Sequence, residues 1–522
     1  MTDRHRGARL LLARDVRVDL RLLVLWIGAL SLLVLASAVS IETLYPDAKD
    51  RIQAAAGLNN SPATVALYGP IIDESSVGEL AMTKLTVLYA FIVALLLMVV
   101  VRRHTRGEEE SGRTELVVAT AVGRSAPLTA ALMLGALVSS VTGLLAAVID
   151  VGGGLPVTGS FLFGASWAGI GLVATGLTAV ACQLSASSRA CAGIASASLG
   201  VLYLVRAVAD VSIGWLGWLT PFGWGTRLQA WHEPRWWVLG LYAALAGVLA
   251  LAAYALRERR DLGSGLWPAR PGRATGSPRL GGATGLVWRL DRAALGWWTL
   301  AVAAMGTLFG LIAPGVEDML DSDAGRRIIE QIGGTGKLED AMLAAVIAVS
   351  AVTVTCFGLM VVVRAANDER DGRTELLMSG PTSRWTAFLA ATLTALVAVV
   401  WLLVVVGITM GLGAGRGPWT LVPAALAQAP AVAVVVAAAA GLWSLRVTWA
   451  AAGWGIVVFC LVLEAVGGLL ELPDWVLGVS PYAHVPAIPV ESADPVGAAV
   501  LVAIAVGLLV AAAGRFRSRD LG

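Results

Sequence analysis

Residues 385–411 read WTAFLAATLTALVAVVWLLVVVGITMG. This stretch contains no charged side chain, and its apolar residues follow one another without the alternation of a half-exposed strand. A bilayer has a hydrocarbon core of about 30 Å, which an α-helix crosses in about 20 residues. Because no water is present there to satisfy the backbone, a continuous apolar run forms a helix rather than an open strand. The stretch therefore predicts a membrane-spanning helix.

Similar runs recur along the chain, so the sequence predicts an all-α polytopic membrane protein with about 12 transmembrane helices. The predicted spans are 22–41, 83–103, 126–149, 160–182, 190–210, 236–256, 294–313, 341–363, 385–411, 419–442, 447–470 and 496–514. Of the 522 residues, 57% are hydrophobic and only 14% are charged, whereas soluble domains are about 25% charged. This composition excludes a soluble enzyme, a disordered chain and a fibrous protein. A net charge of +2 gives no reason to expect a nucleic acid as partner.

The distribution of Lys and Arg predicts the orientation. With the N-terminus placed in the cytoplasm, 28 of the 38 basic residues fall in inner segments and 8 in outer segments. Cytoplasmic loops carry an excess of basic residues in multi-pass proteins. We therefore expect both termini to be cytoplasmic and the chain to lie in the plasma membrane of a bacterium.

The chain repeats itself at an offset near 260 residues. Residues 109–116 read EESGRTEL and residues 369–376 read ERDGRTEL. Two further matches pair 215–222 with 475–482, and 260–263 with 519–522, where both copies read RDLG. Each match falls at the same point of a six-span unit, and an even number of spans gives both units one orientation. The sequence predicts two parallel six-helix repeats, 1–262 and 288–522, joined by a cytoplasmic linker at 263–287.

Two other features occur in both halves. Basic stretches precede the first span of each half, at 9–21 and 289–292. They are either amphipathic helices along the inner membrane surface or ordinary basic flanks of a span. Long outer loops follow those spans at 42–82 and 314–340, and loops of this length are rarely simple connections.

No pattern for catalysis, cofactor binding or metal binding is evident. Lys337 follows a glycine, but Gln331 stands where a phosphate-binding loop requires its first glycine, and Leu338 follows the lysine. The four histidines are scattered, and the four cysteines lie in apolar stretches without metal-binding spacing. We expect a transport protein that is not itself an enzyme.

The repeated inner loops are the best candidates for a functional site. Glu109 precedes Arg113 by four residues, as Glu369 precedes Arg373, and this order favours an ion pair within a helix. Apolar residues follow in both copies. A single copy would be taken for a solvated charged loop, but two copies in register predict two short helices that dock a symmetric cytoplasmic partner.

Charged residues within spans are the second candidate, because a charge in hydrocarbon is costly. Arg206 and Asp210 are four residues apart near the outer end of the fifth span, where they form either a structural pair or part of a substrate path. Glu464 lies inside the eleventh span and is a candidate to meet a polar or cationic substrate in a cavity.

Several motifs together resemble the permease subunit of an ABC-2-type (type V) ABC exporter, in the actinobacterial polyketide-antibiotic and multidrug export group. The residues that carry the resemblance are Tyr45-Pro46-Asp47, Leu67-Tyr68-Gly69-Pro70, the two Gly-Arg-Thr-Glu-Leu loops, Pro221-Phe222-Gly223-Trp224 and Arg260-Asp261-Leu262-Gly263. The resemblance extends over essentially the whole chain. It implies efflux of antibiotics or other amphipathic compounds and does not identify the substrate.

The resemblance also implies a partner and a coupling site. Each Gly-Arg-Thr-Glu-Leu loop would be a coupling helix, seated in a separately encoded ABC ATP-binding subunit that is present in two copies and carries the ATP and Mg²⁺. The implied coupling residues are Glu109, Gly112, Arg113, Glu115, Leu116, Glu369, Gly372, Arg373, Glu375 and Leu376. Pro381 stands where the first copy has Ala121, so we expect the second helix to be shorter.

A different class of transporter also has twelve spans in parallel halves. A proton-coupled secondary drug transporter of the major-facilitator type carries a Gly-, Arg- and acid-rich loop after its second span, and residues 369–373 loosely resemble it. Outer loops as long as 42–82 are unusual there, and the spans lack a clear series of proton-carrying acids. The ATP-driven exporter is therefore the main interpretation.

Overall fold

The structure is a computed structural model that describes residues 4–45, 47–60, 62–267, 275, 282–313, 335–466 and 474–519. Every regular element in these ranges is a helix, which confirms the all-α prediction. Eleven of the described helices are long and apolar enough to cross a bilayer, so the chain is polytopic. They are Ala8–Ile41, Val77–Glu110, Ala126–Gly152, Val157–Leu184, Ser188–Val211, Val238–Glu258, Ala283–Ile312, Glu339–Arg370, Arg384–Gly413, Val422–Leu445 and Pro495–Ser518.

The predicted span 447–470 is not among these eleven. Its described part contains a shorter apolar helix, Val447–Leu461, and an α-helical segment that runs on to Val466. Residues 467–473 lie outside the described ranges. The count of twelve spans therefore stays a prediction.

The first helix of each half is longer than its predicted span. Ala8–Leu44 is one helix of 37 residues, and Ala283–Ile312 is one helix of 30 residues. The basic stretches 9–21 and 289–292 lie within these helices. Each stretch is thus continuous with the span that follows and does not form a separate surface helix.

The chain divides into two compact units, unit 1 at residues 1–272 and unit 2 at residues 273–522. In each unit, closely packed helices use glycine where their backbones meet. A Cβ atom on Gly143 would lie 2.3 Å from the carbonyl oxygen of Gly164, and a Cβ atom on Gly310 would lie 2.4 Å from that of Met410. Small residues allow such close approach in membranes, where packing rather than the hydrophobic effect holds helices together.

Short helices connect the spans. In the predicted outer loop 42–82, two of them precede the second span, and a left-handed Gly69 with φ of 94° ends the second. Residues 314–334 of the other predicted outer loop lie outside the described ranges. The described short helices are Ala48–Asn60, Pro62–Tyr68, Arg113–Val118, Gly214–Leu219, Pro221–Arg227, Arg373–Met378, Val447–Ala452, Asp474–Leu477 and Pro481–His484.

Candidate functional site

Each repeated loop folds into one short helix behind a glycine. Gly112 and Gly372 adopt left-handed backbone conformations, with φ of 74° and 73°. Glycine takes this conformation without the steric cost that a Cβ atom brings. The turn ends the preceding helix and redirects the chain into Arg113–Val118 in unit 1 and Arg373–Met378 in unit 2. We call these two segments the loop helices.

The loop helices present the same residues to the outside. The threonine at the second position of each helix is buried, and the leucine at the fourth position is one of the most exposed apolar residues of its unit. Leu116 is 74% exposed and Leu376 is 75% exposed. The other shared exposed residues are Arg113, Glu115, Arg373 and Glu375. Each loop helix thus exposes one apolar residue flanked by charged residues, and this combination is suited to binding a protein partner.

The two loop helices have equal lengths of six residues. The expectation that Pro381 shortens the second one is wrong. The helix already ends at Met378, as the first ends at the corresponding Val118, so the proline lies beyond the segment that it was expected to disrupt.

The predicted ion pairs within the loops are also wrong. Glu109 does not bind Arg113, because the left-handed turn at Gly112 separates their helices. In unit 2, Arg373 instead binds Asp371, and its Nε lies 3.4 Å from Asp368. The two glutamates turn inward and bind arginines more than a hundred residues away.

Glu109 forms a buried, two-pronged ion pair with Arg260. The Nη1 and Nη2 atoms of Arg260 donate to the two carboxylate oxygens of Glu109 at 2.6 and 2.8 Å. The backbone N–H of Gly263 donates to the same carboxylate at 2.8 Å, and Arg260 Nε donates to Gln183 at 2.8 Å. Arg106 lies 3.2 Å from Glu109. We call the helical turn around Glu109, directly before Gly112, the loop base. It is therefore joined to residues that directly follow the last span of unit 1.

Unit 2 repeats this arrangement with different neighbours. Glu369 binds Arg519, which lies just after the last span. Trp443 Nε1 donates to Glu369 at 2.7 Å, and Arg519 Nη1 donates to the carbonyl oxygen of Trp443 at 3.0 Å. Trp443 occupies the place that Gln183 has in unit 1. The glutamate–arginine pair is thus common to both units.

Arg260 and Arg519 are functional candidates that the sequence reasoning missed. Both belong to the repeated Arg-Asp-Leu-Gly motif, and both glutamates belong to the other repeated motif. Two polar motifs that recur with nearly the same offset, at the same predicted membrane face, indicate mutual contact. The structure pairs them across 151 residues in unit 1 and 150 residues in unit 2.

A second ion cluster joins the first helix of unit 1 to the second span. His104 is buried, with Nε2 at 2.7 Å from Asp19 and Nδ1 at 3.3 Å from Asp15. Arg14 bridges Asp15 and Glu108. In unit 2, Arg364 takes the position of His104 and binds Asp291 and Asp368, at 2.7 and 2.8 Å.

Asp15, His104 and Glu108 are close enough together for a metal ion. Arg14 Nη2, however, donates to Asp15 at 2.6 Å and to Glu108 at 2.5 and 2.7 Å. The guanidinium thus already supplies the positive charge that a metal ion would bring. The group is an ion-pair network of the fold.

The structure brings Arg206 and Asp210 together but surrounds them with protein. Arg206 Nε lies 3.1 Å from Asp210, and its Nη2 donates to the carbonyl oxygens of Val65 and Ala66 at 3.2 and 2.6 Å. These carbonyls belong to the short helix Pro62–Tyr68, in the predicted outer loop. The side chain of Glu464 lies outside the described residues.

Comparison with known proteins finds two matches. The sequence model of the family described as "Multidrug efflux system permease Rv1217c, C-terminal domain" matches residues 16–257 and 280–517. The multidrug efflux system permease protein Rv1217c of Mycobacterium tuberculosis (strain ATCC 25618 / H37Rv) is 37% identical over 536 aligned residues. This alignment covers 99% of the chain and 96% of that relative.

Proposed function

Because the chain belongs to the family of the multidrug efflux system permease Rv1217c, we propose that it is the membrane subunit of an ATP-driven exporter. The chain is a transport protein rather than an enzyme, and it is a multi-pass protein of the bacterial plasma membrane. The proposed substrates are amphipathic or hydrophobic compounds, including antibiotics and other drugs. The name of the relative supports this substrate class.

The energy source in this proposal is a separate ABC ATP-binding subunit. No phosphate-binding loop occurs in the sequence, so ATP and Mg²⁺ would bind to that partner. Two copies of the partner would match the two loop helices, one helix for each copy. Both loop helices would then lie on the cytoplasmic side, as the distribution of basic residues predicts.

The main observation in support of the proposal is that the two loop helices have the same length and the same pattern of buried and exposed residues. They share a left-handed glycine, a length of six residues, a buried threonine and an exposed leucine. An exposed apolar residue among charges suits a protein interface, in which a few anchoring side chains provide most of the binding energy. Two equal anchors on one chain support a partner that binds twice.

The proposed mechanism is alternating access. Closure of two ATP-binding subunits around ATP would move both loop helices, and this movement would change the access of the substrate path from one side of the membrane to the other. The chain itself forms no covalent bond with the substrate. Its contribution is to bind the partner, transmit movement and exclude ions while the substrate passes.

For the substrate path, the contacts of Arg206 and Asp210 support a structural role for these two candidates. Arg206 binds Asp210 and donates to the backbone carbonyls of the short helix Pro62–Tyr68. Asp210 also lies 3.4 Å from Arg227, and we assign the pair the role of anchoring these short segments. Glu464 remains the candidate that meets a polar or cationic substrate.

Co-purification tests the docking role. The chain is expressed together with ABC ATP-binding subunits from the genome of its own organism, and both recovery of such a subunit and ATP hydrolysis are measured. Glu115→Ala with Glu375→Ala is expected to reduce recovery by about tenfold, because both exposed carboxylates flank the anchoring leucine. Glu258→Ala removes an exposed glutamate outside the loop helices and serves as the matched control.

The two outcomes are distinct. Recovery of the subunit with the wild type and with Glu258→Ala, but not with the double variant, supports the proposal. Failure of any ATP-binding subunit to bind contradicts it, as does full binding by the double variant. Transport that follows an imposed proton gradient instead of ATP would identify a secondary transporter.

A further inference from the structure

The buried glutamate–arginine pairs connect two parts of each unit that the proposed mechanism has to move together. Glu109 is three residues before Gly112, where the first loop helix begins. Arg260 is two residues after the last span of unit 1, Val238–Glu258. One ion pair thus joins the base of the loop helix to the end of that span.

The connection in unit 1 has several bonds and is buried. Glu109 and Arg260 are 8% and 7% exposed. Arg106, on the same turn as Glu109, donates to the carbonyl oxygens of Cys182 and Ser264, each at about 2.8 to 2.9 Å. Charge-assisted bonds with two-pronged geometry fix orientation as well as distance. A displacement of the loop base is therefore passed directly to the end of the last span.

A further bond extends this connection to the fifth span. The backbone N–H of Ser188, in the first turn of Ser188–Val211, donates to the carboxylate of Glu110 at 2.9 Å. Arg102 Nη1 donates to the hydroxyl of Ser188 at 3.0 Å. The loop base of unit 1 thus holds the ends of several spans at one point.

Unit 2 retains only the central element of this arrangement. Glu369 is three residues before Gly372, and Arg519 follows the span Pro495–Ser518 directly. Ala366 stands where unit 1 has Arg106, so the additional arginine contacts of unit 1 have no equivalent there. Both units share the glutamate–arginine pair that connects the start of the loop helix to the end of the last span.

We propose that Glu109–Arg260 and Glu369–Arg519 are positioning pairs, which transmit the displacement of each loop helix to the last span of its unit. The proposal rests on the proposed function, because it needs a partner that displaces the loop helices. It adds the residues through which the movement passes. The pairs do not contact the partner or the substrate.

The test uses the whole chain with its co-expressed ATP-binding subunit, in detergent and in proteoliposomes. The main variant is Glu109→Gln with Glu369→Gln. The milder one is Arg260→Lys with Arg519→Lys, because lysine keeps the charge but loses the fixed set of guanidinium donors. Arg260 uses two of these donors on Glu109, and Arg519 uses one on Glu369 and one on the carbonyl oxygen of Trp443. Three quantities are measured: recovery of the subunit, transport of an amphipathic fluorescent dye for each ATP hydrolysed, and hydrogen exchange with and without Mg-ATP.

The expected result separates binding from transmission. The variants retain the subunit, and their loop helices still respond to Mg-ATP in hydrogen exchange. The segment 252–263 at the end of the last span of unit 1 loses its response, and transport for each ATP hydrolysed falls about tenfold, within the usual range of coupling between sites. Arg4→Ala with Glu258→Ala removes an exposed ion pair to the same span and is expected to change none of the three quantities.

Two results would overturn the inference in distinguishable ways. If both pairs of variants keep the Mg-ATP response at 252–263 and the wild-type transport for each ATP, the pairs transmit nothing, although the proposed function stands. If the wild type binds no ATP-binding subunit, the proposed function fails and the inference falls with it. Should the glutamine variants not fold, the lysine variants decide the question alone.

Discussion

His104 of unit 1 and Arg364 of unit 2 occupy corresponding positions, each eight residues before the left-handed glycine of its loop. Each binds a buried aspartate of the first helix in its unit, His104 to Asp19 and Arg364 to Asp291, both at 2.7 Å. The contact between the first helix and the second span thus uses a histidine in unit 1 and an arginine in unit 2. This relationship shows which substitutions the contact should tolerate.

We expect His104→Arg to fold with nearly wild-type stability, because unit 2 uses arginine in this place. His104→Ala should lower the stability by about 1 to 3 kcal/mol, since Asp19 loses a buried charge-assisted hydrogen bond while Arg103, at 2.8 Å from Asp19, and Arg14, at 2.6 Å from Asp15, still supply positive charge. Thermal unfolding of the purified protein checks both. Equal stability of the alanine variant and the wild type would show that His104 contributes nothing to the stability.

The left-handed glycines give a prediction about backbone conformation. No atom lies within 4 Å of a Cβ built on Gly112 or Gly372, so substitution meets no steric clash and its cost is conformational. Gly112→Ala with Gly372→Ala should cost about 1 to 2 kcal/mol for each site and weaken partner binding, because the loop helices are redirected.

Gly107→Ala is the matched control for this prediction. Gly107 has helical angles, with φ of −63° and ψ of −41°, and alanine is favoured there over glycine by up to about 1 kcal/mol. Thermal unfolding and co-purification are measured for both variants. A stable Gly112→Ala variant with normal partner binding would contradict the role given to the turn.

The exposed leucines should matter for binding and not for folding. Leu116→Asp with Leu376→Asp removes no buried contact, so we expect unchanged thermal stability and a loss of partner recovery of about tenfold or more. Thr120→Asp, an exposed position just beyond the first loop helix, is the control. A loss of folding in the double variant would show that the leucines belong to the core.

A buried carboxylate in unit 1 predicts a gain of stability by mutation. Asp150 is 0% exposed, and within the described residues neither of its carboxylate oxygens has a hydrogen-bond partner. Met410 stands at the corresponding place in unit 2, 38 residues after the glycine of its loop, and is also buried.

Asp150→Met should therefore raise stability by about 1 to 3 kcal/mol, the cost of a buried polar group without a partner. Met410→Asp should lower it by a similar amount. Thermal unfolding measures both, and dye transport is measured alongside. A less stable Asp150→Met variant would show that the carboxylate has a stabilising partner.

The sequence was sufficient to predict eleven of the spans and the places of the two loop helices, for different reasons. Apolar runs about 20 residues long have few alternatives in a bilayer, so these eleven spans follow from the apolar composition of their segments. The loop helices follow from repetition, because Gly112-Arg113-Thr114-Glu115-Leu116 recurs unchanged at 372–376.

The partners of the two inner glutamates could not be predicted in the same way. Spacing of four residues favours a Glu–Arg pair only where the helix is continuous, and the left-handed turn at Gly112 interrupts it. The actual partner of Glu109 is Arg260, which packing brings near from 151 residues away. The sequence did show that both motifs recur in both halves. This recurrence indicates contact between the glutamate and the arginine only when the ends of the spans are known to lie together.

The most direct test measures which energy source drives transport. The chain and its co-expressed ATP-binding subunit are reconstituted in vesicles, and uptake of an amphipathic fluorescent dye is measured with Mg-ATP alone and with an imposed proton gradient alone. ATP-driven export predicts uptake with Mg-ATP, abolished by Leu116→Asp with Leu376→Asp, and no uptake with the gradient. Uptake driven by the gradient without ATP would contradict it.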